Sequence, residues 1–88
     1  MTLPHKETKN MYDEIFETMI KYLEEVKHWT RENMTENARF ADDLGGKSLD
    51  LAHLITFMEA EFDVDIPYMK LVKQKTLGEM ARYIEKNM

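Results

Sequence analysis

The amino-acid sequence predicts an all-α protein, a small four-helix bundle with three long helices and one short helix. Apolar residues recur with the helical period, runs of β-branched residues are absent, and the 88 residues include only three glycines and two prolines. A chain of this length has room for one modest hydrophobic core. We therefore expect a single domain over residues 1–88, in which residues 1–9 form a frayed N-terminus.

Composition excludes several classes of protein. A hydrophobic content of 43% favours a folded chain, and the absence of cysteine excludes disulfides and cysteine-based metal sites. Seventeen acidic against twelve basic residues give a net charge of −5, which argues against nucleic-acid binding. No charge-free stretch approaches the roughly 20 residues of a membrane span. The first ten residues lack the apolar region of a secretory signal, so we expect a cytoplasmic protein. We also expect it to be a monomer without a membrane span.

The predicted first and last helices each begin with a recognisable cap. The first is expected from about Asn10, a favoured N-cap residue, to about Trp29. In the last helix, Thr76 and Glu79 have the spacing of a capping box, in which two side chains satisfy two free backbone N–H groups. The residues expected to face the core are Met11, Ile15, Met19, Leu23 and Val26 in the first helix and Leu77, Met80, Ala81 and Ile84 in the last.

The second helix is expected from about Ser48 to about Glu61, after a long loop. A loop as long as residues 30–47 is uncommon in a small domain unless it is functional or anchored. Its expected apolar anchors are Met34, Phe40 and Leu44. The residues of the second helix expected to face the core are Leu51, Leu54, Ile55, Met58 and Phe62. This helix must end before Pro67, and residues 68–74 are expected to form one or two short helical turns.

Ser48 lies where two glycines meet the second predicted helix, and two interpretations of it are open. Serine is a favoured N-cap, and the local pattern alone favours that interpretation. A catalytic serine needs a base within reach, but His53 lies about 500° further around the helix and Asp50 is no better placed. No catalytic residue is therefore expected. The alternative is a serine modified by another enzyme, because Gly45 and Gly46 allow access and a helix N-terminus accommodates an anion.

The outer face of the second predicted helix presents a similar choice. Small or apolar residues lie opposite the core-facing stripe, with His53 beside them, at Leu49, Ala52, Thr56 and Ala60. Scattered apolar surface residues are ordinary, whereas a contiguous group beside Ser48 would suit transient docking, and the pattern favours neither. Lys47 places a positive charge at a helix N-terminus, where the helix dipole favours a negative one.

The remaining candidate sites are weaker. His5, His28 and His53 lack the spacing of metal ligands, and residues 63–65 lack the rest of a calcium-binding loop, so no metal site is expected. Eight methionines favour ordinary core packing. Their unbranched, adaptable side chains would also allow the core to open around an alkyl chain, which is the sharper interpretation.

Residues 37–67, "NARFADDLGGKSLDLAHLITFMEAEFDVDIP", resemble the central block of the acyl carrier proteins. Phe40 matches the aromatic residue of that family's loop, and residues 43–50 match its Asp-Leu-Gly-x-x-Ser-Leu motif with the acid that follows. Residues 61–67 match the Glu-Phe-x-x-x-Ile-Pro motif that closes the block. Residues 75–84 resemble the last helix of that family. The resemblance covers about residues 34–86 and is specific because the two motifs are correctly spaced.

The resemblance implies an acyl carrier fold and a carrier function without catalysis. Ser48 would receive 4′-phosphopantetheine from coenzyme A through a phosphopantetheinyl transferase (a holo-carrier synthase). The thiol of that arm would hold acyl groups as thioesters for acyl-transferring, condensing or modifying enzymes of fatty-acid, lipid or secondary-metabolite synthesis. The residues expected to contact these partners are Lys47, Leu49, Asp50, Ala52, His53 and Thr56.

Three departures from the family pattern point to a specialised carrier. Lys47 replaces an acid before the serine, and His53, Thr56 and Ala60 stand where acids are common. The segment "IPYMKLVKQKT" replaces an acidic run, and its glutamine, Gln74, takes an apolar core position. The Gly-Gly before the serine also resembles peptidyl carriers, so an aminoacyl or peptidyl carrier is the alternative function. A helical interaction protein that is never modified is the competing class.

Overall fold

The computed structural model describes residues 10–88, so the expectation of a frayed terminus at residues 1–9 lies outside the described residues. The helices are α1 (Met11–Val26), α2 (Ser48–Phe62), α3 (Tyr68–Leu71) and α4 (Leu77–Lys86). A short 3-10 helix, Arg31–Asn33, follows α1. Within residues 10–88 the chain forms no strand. The prediction of an all-α bundle with three long helices and one short helix is confirmed.

Helix α1 begins as predicted and ends early. The Asn10 side chain accepts a hydrogen bond from the Asp13 N–H at 2.9 Å. The helix ends at Val26 instead of Trp29, because His28 adopts a left-handed conformation with φ of +62°. The Trp29 N–H then turns back to the Leu23 carbonyl at 3.1 Å.

The core lies where α1 packs against α2 and α4. The predicted inner faces of α2 and α4 are buried, except that Phe62 is only half-buried. In α1 the prediction was wrong at both ends, since Met11 is 36% exposed and Val26 is 53% exposed. These two residues begin and end the helix, beyond the part that its neighbours cover. The methionines buried among residues 10–88 are Met19, Met34, Met58 and Met80, as ordinary packing predicts.

The loop before α2 is anchored instead of free. Met34 and Phe40 are buried as predicted, whereas Leu44 is only half-buried. The loop backbone also pairs with the start of α4, where the Leu77 N–H donates to the Ala38 carbonyl at 3.0 Å. These contacts fix the path of the chain that leads to α2.

Helix α4 starts with the predicted capping box. The Thr76 hydroxyl accepts a hydrogen bond from the Glu79 N–H at 3.1 Å. The Glu79 carboxylate in turn accepts from the N–H groups of Lys75 at 2.9 Å and Thr76 at 3.3 Å. This cap fixes the chain on which the loop before α2 rests. No helix within residues 10–88 has the length and apolar character required to cross a membrane.

Candidate functional site

Ser48 is the first residue of α2, and its side chain is exposed. Lys47 occupies the N-cap position, but its ammonium group has no lone pair with which to cap the helix. The Asp50 carboxylate instead reaches back and accepts a hydrogen bond from the Lys47 N–H at 2.9 Å. The interpretation of Ser48 as a simple N-cap is therefore wrong, and its hydroxyl is left available.

The two glycines before the site have different roles. Gly45 adopts a φ of +72°, which glycine tolerates without strain, and it faces open space. Gly46 packs directly on the buried ring of Phe40, where an added Cβ would overlap the ring carbons. The Gly46 N–H also donates to the Phe40 carbonyl at 2.8 Å. Gly45 thus makes the turn, and Gly46 fixes the start of α2 against the core.

An ion pair joins the end of α1 to the first turn of α2. The Lys27 ammonium lies 3.1 Å from the Asp50 carboxylate and 2.9 Å from the Nδ1 of His53. An ammonium only donates, so the His53 ring nitrogen accepts. The hydrogen bond from the Lys47 N–H lowers the pKa of the Asp50 carboxyl, and the nearby Lys27 lowers it further against the opposing effect of partial burial. The Asp50 carboxylate is therefore engaged by two contacts within the chain, and its predicted contact with partners stays a prediction.

The other residues predicted to contact partners lie on successive turns of α2. Leu49 is 65% exposed, a large value for a leucine, while Ala52 is half-buried. His53 and Thr56 are exposed, and the Thr56 hydroxyl donates to the Ala52 carbonyl at 3.2 Å. Lys47 is also exposed. The predicted residues thus lie between the N-cap and the middle of α2, and their contacts with partners stay a prediction.

Lys27 is the site residue that sequence reasoning missed. The sequence pattern places it within the first helix and assigns it no partner. Its contact with Asp50 depends on the tertiary packing of α1 against α2, which local spacing does not encode. A basic residue beside the end of one helix and an acid in the first turn of the next were the only signals.

The site suits an acceptor of a phosphate ester and does not suit a self-contained catalyst. Among residues 10–88, the N–H groups of Ser48, Leu49 and Asp50 have no backbone or side-chain acceptor, as is usual in the first turn of a helix. Such groups favour a nearby anion. Within the same residues, no cluster of acidic or histidine side chains could hold a metal ion.

Comparisons with known proteins agree with this geometry. A family model described as a phosphopantetheine attachment site matches residues 17–84. The acyl carrier protein of Wolinella succinogenes is 34% identical over 77 residues, which cover 88% of this chain and 96% of that protein. The chain belongs to the acyl carrier protein family. The acyl carrier protein of Thermotoga maritima is 37% identical over 76 residues, which cover 86% of this chain and 94% of that protein. The acyl carrier protein of Bdellovibrio bacteriovorus is 49% identical over 49 residues, which cover 56% of this chain and 63% of that protein.

Membership of this family confirms the predicted family, its cofactor and the absence of catalysis by the carrier itself. Carriers of this family act with a phosphopantetheinyl transferase and with enzymes that handle acyl groups. The residues present fit the cofactor, because an exposed hydroxyl adjoins free N–H donors at the positive end of a 15-residue helix. When bound, phosphopantetheine supplies the thiol that holds the acyl group. The chain supplies the attachment point and the surface around it.

Gly46→Ala should destabilise the fold by about 1–3 kcal/mol, because the added methyl group meets the buried Phe40 ring. Urea denaturation of this variant, of Phe40→Leu and of the double variant forms a cycle that isolates their interaction. We expect the double variant to lose less than the sum of the single variants. Gly45→Ala is the matched control, since its strain does not involve the ring, and its cycle with Phe40→Leu should be additive. Additivity in both cycles would contradict the assigned contact.

Asp50→Asn should cost about 1 kcal/mol of unfolding free energy at neutral pH, as loss of a helix cap does. The folded pKa of Asp50 is lowered, so its contribution is complete above the ordinary aspartate pKa and disappears as the pH falls through the lowered value. Denaturation curves for wild type and variant should therefore converge in acid. Asp65→Asn, at an exposed position, is the control and should match wild type throughout. A difference independent of pH would refute a role for the charge.

Proposed function

We propose that Ser48 carries the phosphopantetheine arm of this protein. The observation that supports this most is the exposed hydroxyl at the first residue of α2, where another residue, Lys47, occupies the N-cap position. Ser48 is also the only serine in the chain, so no second serine competes for the role. The helix N-terminus next to it suits the negative charge of a phosphodiester.

The attachment reaction requires a second protein. The Ser48 oxygen would form an ester bond to the β-phosphorus of coenzyme A while the pyrophosphate P–O bond breaks and adenosine bisphosphate leaves. The hydroxyl proton must pass to a base of the transferase, because His53 lies about 500° further around the helix than Ser48. The His53 Nδ1 also already accepts from Lys27. Gly45 gives the transferase open space on the approach to Ser48.

We propose further that the exposed side of α2 is the surface that partner enzymes contact. The contacting residues would be Lys47, Leu49, Ala52, His53 and Thr56, and Leu49 has the exposure expected of an apolar contact. Asp50, which is paired with Lys27, would position this surface by fixing the first turn of α2. The partners would belong to fatty-acid, lipid or secondary-metabolite synthesis. The lysines around the site support a specialised carrier.

Attachment is tested by intact-mass measurement after incubation with coenzyme A and a broad-specificity phosphopantetheinyl transferase. We expect wild type to gain the mass of one phosphopantetheine and Ser48→Ala to gain none. Thr30→Ala is the control, because Thr30 is an exposed hydroxyl that makes no capping hydrogen bond, and it should be modified like wild type. A mass gain that survives in Ser48→Ala would refute Ser48 as the attachment point.

A small cavity bears on the nature of the cargo. It has a volume of about 180 Å³. Its lining combines the apolar side chains of Phe40, Leu51, Val72 and Met80 with the charged residues Arg39, Asp42 and Lys75. Gln74 also lines it, and the Gln74 side-chain amide donates to the Lys70 carbonyl at 3.3 Å. This polar residue is the observation that favours an aminoacyl or peptidyl carrier as the second candidate function.

Thermal unfolding of carriers loaded with acetyl and octanoyl groups separates the two candidates. We expect the octanoyl form to melt higher, because the apolar lining binds the chain only in the folded state. Gln74→Leu should widen the difference, since it replaces one polar side chain of the lining with an apolar one. Equal melting temperatures in both proteins would exclude burial of the chain and favour the aminoacyl or peptidyl carrier.

A further inference from the structure

We propose that the surface formed by residues 68–75 and Lys47, called here the basic surface, docks an acidic face of the enzyme that modifies Ser48. This inference rests on the proposed attachment at Ser48 and adds the chemistry of the partner. The partner face would carry aspartate and glutamate side chains around an apolar centre.

The charges of the basic surface are unusual for this chain. Residues 68–75 contain three lysines, Lys70, Lys73 and Lys75, and no acid, although the whole chain has a net charge of −5. All three are exposed, as is Lys47. Within residues 10–88, the ion pairs involve other basic residues, namely Lys27, Arg31, Arg39 and Arg82. The four lysines are therefore free to attract carboxylates of another protein.

Backbone contacts place this segment beside the modification site. The Phe40 N–H donates to the Lys75 carbonyl at 3.0 Å, and the Phe40 carbonyl accepts from the Gly46 N–H at 2.8 Å. One residue thus joins Lys75 to the turn before Ser48. Val72 and Leu51 also line the same cavity, which brings the end of α3 opposite the first turn of α2.

The same surface exposes large apolar side chains that the fold does not use. Met69 is 67% exposed and Val72 is 44% exposed. Leu49, which follows Ser48 in the chain, is 65% exposed. Apolar residues surrounded by charged groups are the composition of a protein interface, in which the centre is desolvated and the rim remains polar. Since α3 has only four residues, it offers little area for insertion into a membrane. These features favour a protein partner.

Position determines which partner must meet these charges. An enzyme that brings a phosphate ester to the Ser48 oxygen has to cover the adjacent residues, including Lys47 and Leu49. Carboxylates on that enzyme would be attracted by the lysines, which would raise the association rate and select the orientation. A basic enzyme face would be repelled at the same place.

The test compares two charge-reversal pairs with the same change in net charge. Lys70→Glu with Lys73→Glu alters the basic surface, and Lys21→Glu with Lys86→Glu alters exposed lysines on α1 and α4. Initial rates of modification are measured with coenzyme A and the cognate phosphopantetheinyl transferase from the same organism. At low salt, kcat/KM for the first pair should fall about tenfold, and that for the second should stay within about twofold.

Salt and coenzyme A provide two further readouts. The wild-type rate should fall as sodium chloride rises, whereas the rate of the Lys70→Glu, Lys73→Glu protein should not fall. KM for coenzyme A should be unchanged, because the lysines are proposed to meet the enzyme and not its nucleotide substrate. Circular dichroism checks folding, and Lys70→Gln with Lys73→Gln replaces the charge-reversed pair if that pair does not fold.

Several results would overturn the inference. A faster reaction for Lys70→Glu, Lys73→Glu would indicate that the partner face is basic. Equal losses of kcat/KM in both pairs would show that the change in net charge alone causes the effect. Flotation of wild type, but not of this variant, with phosphatidylglycerol vesicles would assign the surface to a membrane. Absence of any modification of wild type would instead refute the proposed attachment at Ser48, which separates the two failures.

Discussion

The position of Ser48 depends on the packing of one aromatic side chain, Phe40. Its ring is buried and lies directly under Gly46, where no larger residue fits without movement. Its backbone joins the turn before α2 to Lys75, and its ring lies 5.3 Å from that of Trp29. A flexible loop would leave the hydroxyl of Ser48 without a defined position. Phe40 instead transmits the position of the core to the first residue of α2.

Three residues at the start of α2, Lys47, Ser48 and Asp50, have different roles. Asp50 accepts a hydrogen bond from the N–H of the N-cap residue Lys47 and pairs with Lys27, so it holds the start of the helix by contacts within the chain. Ser48 is thereby freed from the capping role that its sequence position suggests. Lys47 keeps an exposed positive charge, which is unfavourable at the positive end of the helix dipole. The Asp50 carboxylate in the same turn offsets this effect. The lysine is therefore tolerated structurally and remains available for a partner.

Much of the fold is encoded locally and could be predicted from the sequence. The inner faces of α2 and α4 follow the helical period, and the capping box of Thr76 and Glu79 is formed by residues only three positions apart. The end of α1 could not be predicted, because it depends on the left-handed conformation of His28 and on the packing of Trp29 against Phe40. These are tertiary effects that override a favourable local helical pattern.

The same distinction applies to the site. Ser48 and its glycines could be found because their function requires them to be neighbours in the sequence. The contact of Lys27 with Asp50 joins residues on different helices, so it follows only from how α1 packs on α2. The exposure of Leu49 was foreseen from its place opposite the core-facing stripe, whereas the proximity of Lys75 to the site depends on backbone pairing with the loop.

The exposed apolar residues near the site carry the last step of the synthesis. Burial of Leu49 or Met69 in the core would stabilise the fold, yet each keeps about two thirds of its surface exposed. Folding alone gives no reason for such residues beside unpaired lysines. The proposed association would give one, because apolar contacts supply affinity once water is displaced, while the surrounding charges decide which partner approaches. A carrier that must meet its partners and then release them benefits from this separation, since charge sets selectivity and a small apolar area keeps each complex short-lived.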